Sequence, residues 1–342
     1  MATVYTTHAR YVEHNLSGHP EHAGRIRSVW KTLDKAGLTA RMDVIEPTPI
    51  SDDLIRAVHT DEYVLALNWL PTQDHIVQFD HDTYALPESI EIARLSAGGV
   101  VQAVDAVLKG EADNGLAAVR PPGHHALPER GMGFCLLGNI SIAARYAQKT
   151  YGLERVMIVD YDVHHGNGTQ DMFYDDDSVL FVSTHQYPFY PGTGAIDEIG
   201  TGTGKGYTVN IPLTPGHGDE NYAQIYEKIL WPLARRFKPQ LILISAGFDA
   251  HWTDPLAMMR LSLTGYAQLT RELIAMARSL CDGKIVFVLE GGYDLQALGH
   301  GVRNIAHALL DDDEISDPLG RRDANAKAIM PLIDQISQLH NL

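Results

Sequence analysis

Hydrophobic positions along the chain follow two rhythms. Four short, uninterrupted apolar runs, "LAAV" (Leu116 to Val119), "VMIV" (Val156 to Val159), "LILIS" (Leu241 to Ser245) and "IVFVL" (Ile285 to Leu289), are too short for helices and are bounded by turn residues. Continuous rather than alternating hydrophobicity predicts strands buried on both faces, as in a parallel sheet covered by helices. Between the runs, "GNISIAARYAQKTY", "DENYAQIYEKILWPLARRF" and "TGYAQLTRELIAMARSL" carry apolar residues at three-to-four spacing, and "LTGY" and "PGHGDE" supply helix-entry punctuation. Strands alternating with helices predict an α/β fold with right-handed crossovers.

No internal repeat, low-complexity tract or long linker marks a boundary, so residues 1–342 read as one domain. The most polar stretch, 311–327, reads as a surface connection before a last helix. The N-terminal segment is mixed in pattern, and the order of its elements is not predicted.

The polar residues at the end of each apolar run change the picture from fold to chemistry. After "LAAV" comes "RPPGHH" with His124 and His125; after "VMIV" comes "DYDVHHGNGTQ" with Asp160, Asp162 and His164. After "LILIS" comes "AGFDAHWTDP" with Asp249, and after "IVFVL" comes "EGGYD" with Tyr293. In open parallel sheets ligands sit beyond the carboxyl ends of the strands, so the four polar ends are expected to converge. A lone His-His pair, or a tyrosine beside two glycines, is ordinarily a packing or surface feature; four coincident polar strand ends are not. Several carboxylates, imidazoles and a phenol buried together call for a compensating cation. Zinc accepts mixed Asp and His ligation, and Asp162, His164 and Asp249 would leave one coordination position open for water. Water bound there becomes a stronger nucleophile near neutral pH, and a nearby imidazole can take its proton.

Composition narrows the partners. Of 342 residues, 45% are hydrophobic and 20% charged, ordinary for a globular chain, but 27 Lys and Arg against 43 Asp and Glu leave a formal charge of −16. That charge argues against a nucleic-acid groove and suits a cationic or neutral substrate. Cys135 and Cys281, distant in sequence and outside any CxxC spacing, read as two reduced thiols. With no signal-peptide pattern and no long uncharged apolar run, a cytoplasmic protein without membrane attachment is expected. "GTGTGKGY" (Gly200 to Tyr207) fails as a phosphate loop, because Gly206 comes after the lysine and Ile199 stands where the first glycine belongs. His8, His14 and His217 read as surface residues, whereas His251 is left open.

The ordered blocks "SGHPEHAGRIR", "VHTDEYV", "RPPGHHA", "GFCLLGN", "DYDVHHGNGTQ", "STHQYPFYPGTG", "SAGFDAHWTDPL" and "LEGGYD" resemble the histone deacetylase superfamily, the zinc-dependent amidohydrolases of the arginase-deacetylase fold. The wording "HHGNGTQ" and the tyrosine of "GGYD" are more similar to class II deacetylases and their bacterial relatives. The resemblance implies a single-domain three-layer α/β/α architecture with a mainly parallel central sheet. It implies one Zn2+ held by Asp162, His164 and Asp249. His125 would be the general base and acid, His124 an electrostatic partner oriented by Asp160, and Tyr293 the hydroxyl that polarises the amide carbonyl. Asn167 would face His125, where class I members carry an aspartate.

The same resemblance makes Gly133, Phe134 and Tyr190 walls of a narrow acyl-lysine tunnel, and Asp82 a rim carboxylate gripping the substrate backbone. It also implies K+ at Asp160, Asp162, the His164 carbonyl, Ser183 and Thr184. Binuclear manganese ureohydrolases share the fold but need carboxylates where this chain has Gly166 and His251, so one ion is expected. Polyamine-specific deacetylases carry a glutamate where Leu256 stands, which favours an acylated lysine peptide over a small acylated amine as substrate. The acyl chain and the oligomeric state stay open.

Overall fold

The structure, a computed structural model, describes residues 2–322 and 328–342. Among them ten strands run in chain order: β1 (Thr3–Thr6), β2 (Asp43–Ile45), β3 (Val77–Gln78), β4 (Tyr84–Ala85), β5 (Asn114–Ala117), β6 (Val156–Asp160), β7 (Val179–Gln186), β8 (Thr208–Leu213), β9 (Leu241–Ala246) and β10 (Ile285–Leu289). Eight of them form one sheet in the order β2-β1-β5-β10-β9-β6-β7-β8, and β3 and β4 make a separate antiparallel pair. Every pairing in the large sheet is parallel. The expected α/β fold with a mainly parallel sheet is what the chain adopts.

The four predicted strands are the four consecutive central ones, β5, β10, β9 and β6. The chain leaves β5, starts again beyond a gap at β6, runs outward through β7 and β8, and returns to fill that gap with β9 and β10. The gap is a topological switch point, where the carboxyl ends of neighbouring strands open a crevice. Register brings those ends level: Asp160 lies beside Ser183 on one side and Ser245 on the other, and Leu289 lies beside Ala246. The strand interiors, such as Ile158, Leu243, Ile244, Val286 and Phe287, are fully buried, each contributing about 1.5–3 kcal/mol by leaving water.

Helices cover the sheet. Ser89–Lys109 packs with Asn139–Tyr151, and a second group joins Gly24–Lys35, Leu295–Leu309 and Leu263–Leu280. The predicted entry at "LTGY" is a capped start, with Ser262 Oγ accepting from the Gly265 amide at 3.0 Å. The long helix expected over 219–237 consists of Asp219–Ile225, a π segment Tyr226–Leu230 and Trp231–Phe237. Pro232 has no N–H for the carbonyl one turn back, which accounts for the loosened turn before it.

Expectations change for one strand and for three histidines. The strand predicted at Leu116–Val119 begins and ends two residues earlier, because Asn114 and Gly115 pair with β1 despite their polarity and size. His14 and His217 are buried rather than at the surface, and His8 is half-buried. His14 is accommodated by Ser89 Oγ at 2.7 Å and by stacking on Tyr84 at 4.6 Å. Over 312–322 the polar connection runs without helix or strand, and 323–327, the rest of the predicted segment, lie outside the described residues.

Candidate active site

At the end of β6 the backbone turns so that Asp162 and His164 face the crevice, and Asp249 enters from the end of β9. His164 Nδ1 lies 3.3 Å from Asp162 Oδ1 and 3.2 Å from Asp249 Oδ2. The ligand atoms of this group lie within 4.8 Å of one another, and both carboxylates are fully buried. The remaining oxygens are occupied: Asp162 Oδ2 accepts from the Gly291 amide at 2.8 Å, and Asp249 Oδ1 from the Val163 amide at 2.8 Å. One oxygen of each carboxylate and one ring nitrogen are therefore turned inward together. Two buried carboxylates against one imidazole leave negative charge that a divalent cation would neutralise, so the residues fit the expected metal. Gly291 is required here, since a β-carbon would fall on Asp249 and Asp162.

The two histidines after β5 stand side by side, with ring centroids 4.0 Å apart, but have different partners. His124 Nδ1 lies 3.0 Å from Asp160 Oδ2, and His125 Nδ1 lies 2.7 Å from Asn167 Oδ1. Burial works against a charge on His124, yet Asp162 and Asp160 outweigh it and push the imidazole up to about 10. Burial lowers His125 well below the usual histidine range, and the positive charge of His124 beside it adds to that. One ring is thus charged and the other neutral at pH 7, the separation that assigns acid and base roles to a pair.

Phe134 and Tyr190 line the approach. The Tyr190 ring stands edge-on to His125 at 5.3 Å and lies 6.1 Å from His164, while Phe134 meets Tyr293 at 5.9 Å. Gly133 and Phe134 form a two-residue turn between Met132 and Cys135, with φ of 55° and 70°. A β-carbon at Gly133 would strike the His125 ring. Phe134, a bulky residue in the left-handed region, is held there partly by the hydrogen bond its N–H donates to Thr83 Oγ1 at 3.0 Å. The same contact brings the turn carrying Asp82 to the mouth. Asp82 is largely exposed, and the water its carboxyl does lose, together with the adjacent Asp80 carboxyl, pushes it up to about 6. Leu256 is half-buried on the loop after β9. Behind the metal group, Thr184 Oγ1 bonds the Asp160 carbonyl at 3.4 Å and Ser183 Oγ lies 2.9 Å from His185 Nδ1.

Several residues at the site escape sequence reasoning. Phe189 stacks on His164 at 5.6 Å and 17°, and His19 meets Phe134 at 4.7 Å while bonding the Asp82 carbonyl. Beneath Tyr293 lies a buried charge network: Arg25 sits 5.0 Å over the tyrosine ring, and Glu21 binds both Arg25 and Arg120. Glu290 accepts from the Gly123 amide at 2.7 Å and fixes the turn that carries His124. A partial signal lies in "GHPEHAGRIR", where Glu21 and Arg25 stand four residues apart, but a helix-surface pair has the same spacing.

Residues 19–309 match the family model described as histone deacetylase domain. A probable deacetylase of Archaeoglobus fulgidus is 46% identical over 300 residues, covering 86% of this chain and 82% of the relative. A histone deacetylase-like amidohydrolase of Pseudomonas aeruginosa is 42% identical over 278 residues, covering 81% and 73%. The chloroplastic histone deacetylase 14 of Arabidopsis thaliana is 38% identical over 350 residues, covering 96% and 82%. Among solved structures, the HDA15 HD domain superposes with a TM-score of 0.91 at 36% identity, covering 99% of this chain and 94% of its own. With a family model spanning most of its length and a relative similar along nearly all of it, the chain belongs to the histone deacetylase family and is a hydrolase acting on amides.

Proposed function

We propose that the chain is a zinc-dependent deacetylase that removes an acetyl group from the amine of an acyl-lysine side chain. The observation that carries this is the buried group of Asp162, His164 and Asp249 set opposite His125, with Asp162 also holding the Gly291 amide of the loop that carries Tyr293. A zinc ion held by those three residues would supply Lewis acidity and lower the pKa of water to about 7.

The chain's own groups do the rest. Asn167 accepts from His125 Nδ1, which leaves Nε2 bare to take a proton from the attacking water. His124, charged and anchored by Asp160, stabilises negative charge as it develops. Burial raises the Tyr293 phenol well above its usual range against the pull of Arg25, so its hydroxyl stays protonated and donates to the amide carbonyl oxygen. Proton return to the departing amine falls to the imidazole that has just been charged. Phe134 and Tyr190 give the acyl-lysine methylenes an apolar passage that excludes water, with Gly133 keeping the wall thin and Asp82 at the rim for the substrate backbone. Asp160, Asp162, the His164 carbonyl, Ser183 and Thr184 are the residues that K+ would occupy.

Leu256 puts an apolar side chain where a cationic acylated polyamine would need a carboxylate, which supports lysine peptides over small amines. Among the described residues no helix is long and apolar enough to cross a membrane. The two buried free thiols support a cytoplasmic location. The test is acetate release from an acetyl-lysine peptide by metal-replete protein, with acetylpolyamines in parallel. Peptide turnover is expected; turnover of neither substrate would refute the proposal.

A further inference from the structure

Tyr293 sits in a loop, Glu290 to Asp294, whose two glycines give it no stiffness of its own; Gly292 has φ of 117°, in the region that glycine alone enters readily. An oxyanion donor on such a segment is effective only if the backbone is fixed from outside, because an error of about 1 Å costs on the order of a hundredfold in rate. Backbone bonds from the Glu290 amide to the Ala246 carbonyl at 3.1 Å and from the Phe248 amide to the Gly291 carbonyl at 3.0 Å anchor its start, and four side-chain contacts hold the rest of its backbone. Arg25 holds the carbonyls of Glu290 and Gly292 at 2.5 and 2.8 Å, and Asp162 holds the Gly291 amide at 2.8 Å. The fourth is Asp254, whose Oδ2 accepts from the Tyr293 amide at 2.7 Å and from the Asp294 amide at 3.2 Å. Its other oxygen, Oδ1, accepts from the Leu256 amide at 3.0 Å.

Asp254 is only 6% exposed, has no cation among these contacts, and uses both oxygens on backbone N–H groups of two different loops. Burial and the nearby Asp249 push its carboxyl up to about 7, and the Tyr293, Leu256 and Asp294 amides oppose that rise, so the three N–H donors are what favours the charged form there. The Leu256 contact alone is a local turn within one loop. The Oδ2 contacts reach 39 and 40 residues along the chain, to the tyrosine itself and to the residue that caps the next helix. We infer that Asp254 is a positioning residue for the reaction: its carboxylate clamps the loop after β10 to the loop after β9, and so sets Tyr293 relative to the metal group. This inference rests on the deacetylase reading for its kinetic consequence, though the clamp itself does not.

The experiment compares Asp254→Asn in the wild-type and Tyr293→Phe backgrounds. Asparagine keeps the size but can no longer accept at both ends. In the wild-type background kcat for an acetyl-lysine peptide is expected to fall about ten- to a hundredfold, with KM and metal content little changed. In the Tyr293→Phe background the same substitution should change kcat less than about twofold, since its effect passes through the missing hydroxyl. Equal losses in both backgrounds, a rise in KM alone, or loss of the metal would overturn the inference. Amide exchange of Tyr293 and Asp294 in the wild-type protein gives a second reading that needs neither activity nor a folded variant. Protection comparable to strand amides supports the clamp, and exchange at the rate of an open loop removes it. Absence of peptide turnover by the wild type would count against the proposed function alone, leaving exchange to decide the clamp.

Discussion

The Nδ1 of His125 lies 2.7 Å from the amide oxygen of Asn167, an atom that can only accept. The proton of the neutral ring is therefore on Nδ1, which leaves Nε2 without one, as the proposed base requires. A neutral partner does little to stabilise the imidazolium, which agrees with the low basicity that burial and His124 impose. Replacing Asn167 with Asp supplies a carboxylate that favours the charged ring, so the pKa rises and the base is lost at higher pH than before. The acid limb of the kcat/KM profile should move up by about one unit or more. A limb that stays in place would separate His125 from the acid-limb titration.

Tyr293 is held between the edge of Phe134 and the Arg25 guanidinium, contacts that do not involve its hydroxyl. Tyr293→Phe should therefore keep the fold and the metal while kcat drops by about two to three orders of magnitude, the cost of one oxyanion donor. Kinetics with an acetyl-lysine peptide and elemental analysis check the two halves. Unchanged turnover would remove the hydroxyl from the mechanism.

The sequence showed the site better than it showed what holds the site. Three of the four central strands lie where their apolar runs stand, because a strand buried on both faces needs continuous hydrophobicity and little else does. β7 escaped the same reasoning: its second half, Ser183 to Gln186, is polar yet fully buried, with Ser183 and His185 bonded to each other, Thr184 to the Asp160 carbonyl and His185 to the Gly194 carbonyl rather than to water. Metal-site and catalytic candidates come directly after the strand ends and so are visible as motifs. Glu21, Arg120 and Asp254 are not, since a buried charge is recognisable only by its partner, and those partners lie 99 residues away for Glu21 and Arg120 and 39 for Asp254 and Tyr293.

That buried network makes a stability prediction. Glu21 Oε1 accepts from Arg25 at 3.0 Å and from Arg120 at 2.5 Å, and Oε2 accepts from Arg120 at 2.8 Å. Burial alone would raise this carboxyl, but Arg120 and Arg25 outweigh it and hold it at about 2 against an ordinary 4.5. The folded state thus binds its proton later than the unfolded chain does. The contribution is complete above about pH 4.5 and is lost as pH falls toward 2, and its size is on the order of 3 kcal/mol. Glu21→Gln should cost about 3–5 kcal/mol at neutral pH by leaving two buried guanidiniums without a carboxylate. The difference between wild type and variant in denaturant unfolding should shrink between pH 4.5 and 2. A constant difference across that window would show that Glu21 is not charged in the folded protein.

Asp249 tests the metal without relying on turnover. One of its oxygens holds the Val163 amide and the other faces His164 Nδ1, so Asp249→Asn can keep the first contact while removing the charge from the second. If the two buried carboxylates are balanced by a divalent ion, binding of that ion to the folded state alone stabilises it, by about 4 kcal/mol at a thousandfold excess over Kd. Chelation should therefore lower the wild-type Tm, and zinc should restore it. The Asn variant should carry no ion by elemental analysis, hydrolyse no peptide, and unfold at the same temperature with or without chelator. Asp249→Ala should lose both ion and activity as well, with a further loss of stability from the unpaired Val163 amide. A wild-type Tm indifferent to chelator, in protein that still hydrolyses amides, would leave the carboxylates and His164 as an ion-pair cluster and place the source of the attacking water elsewhere.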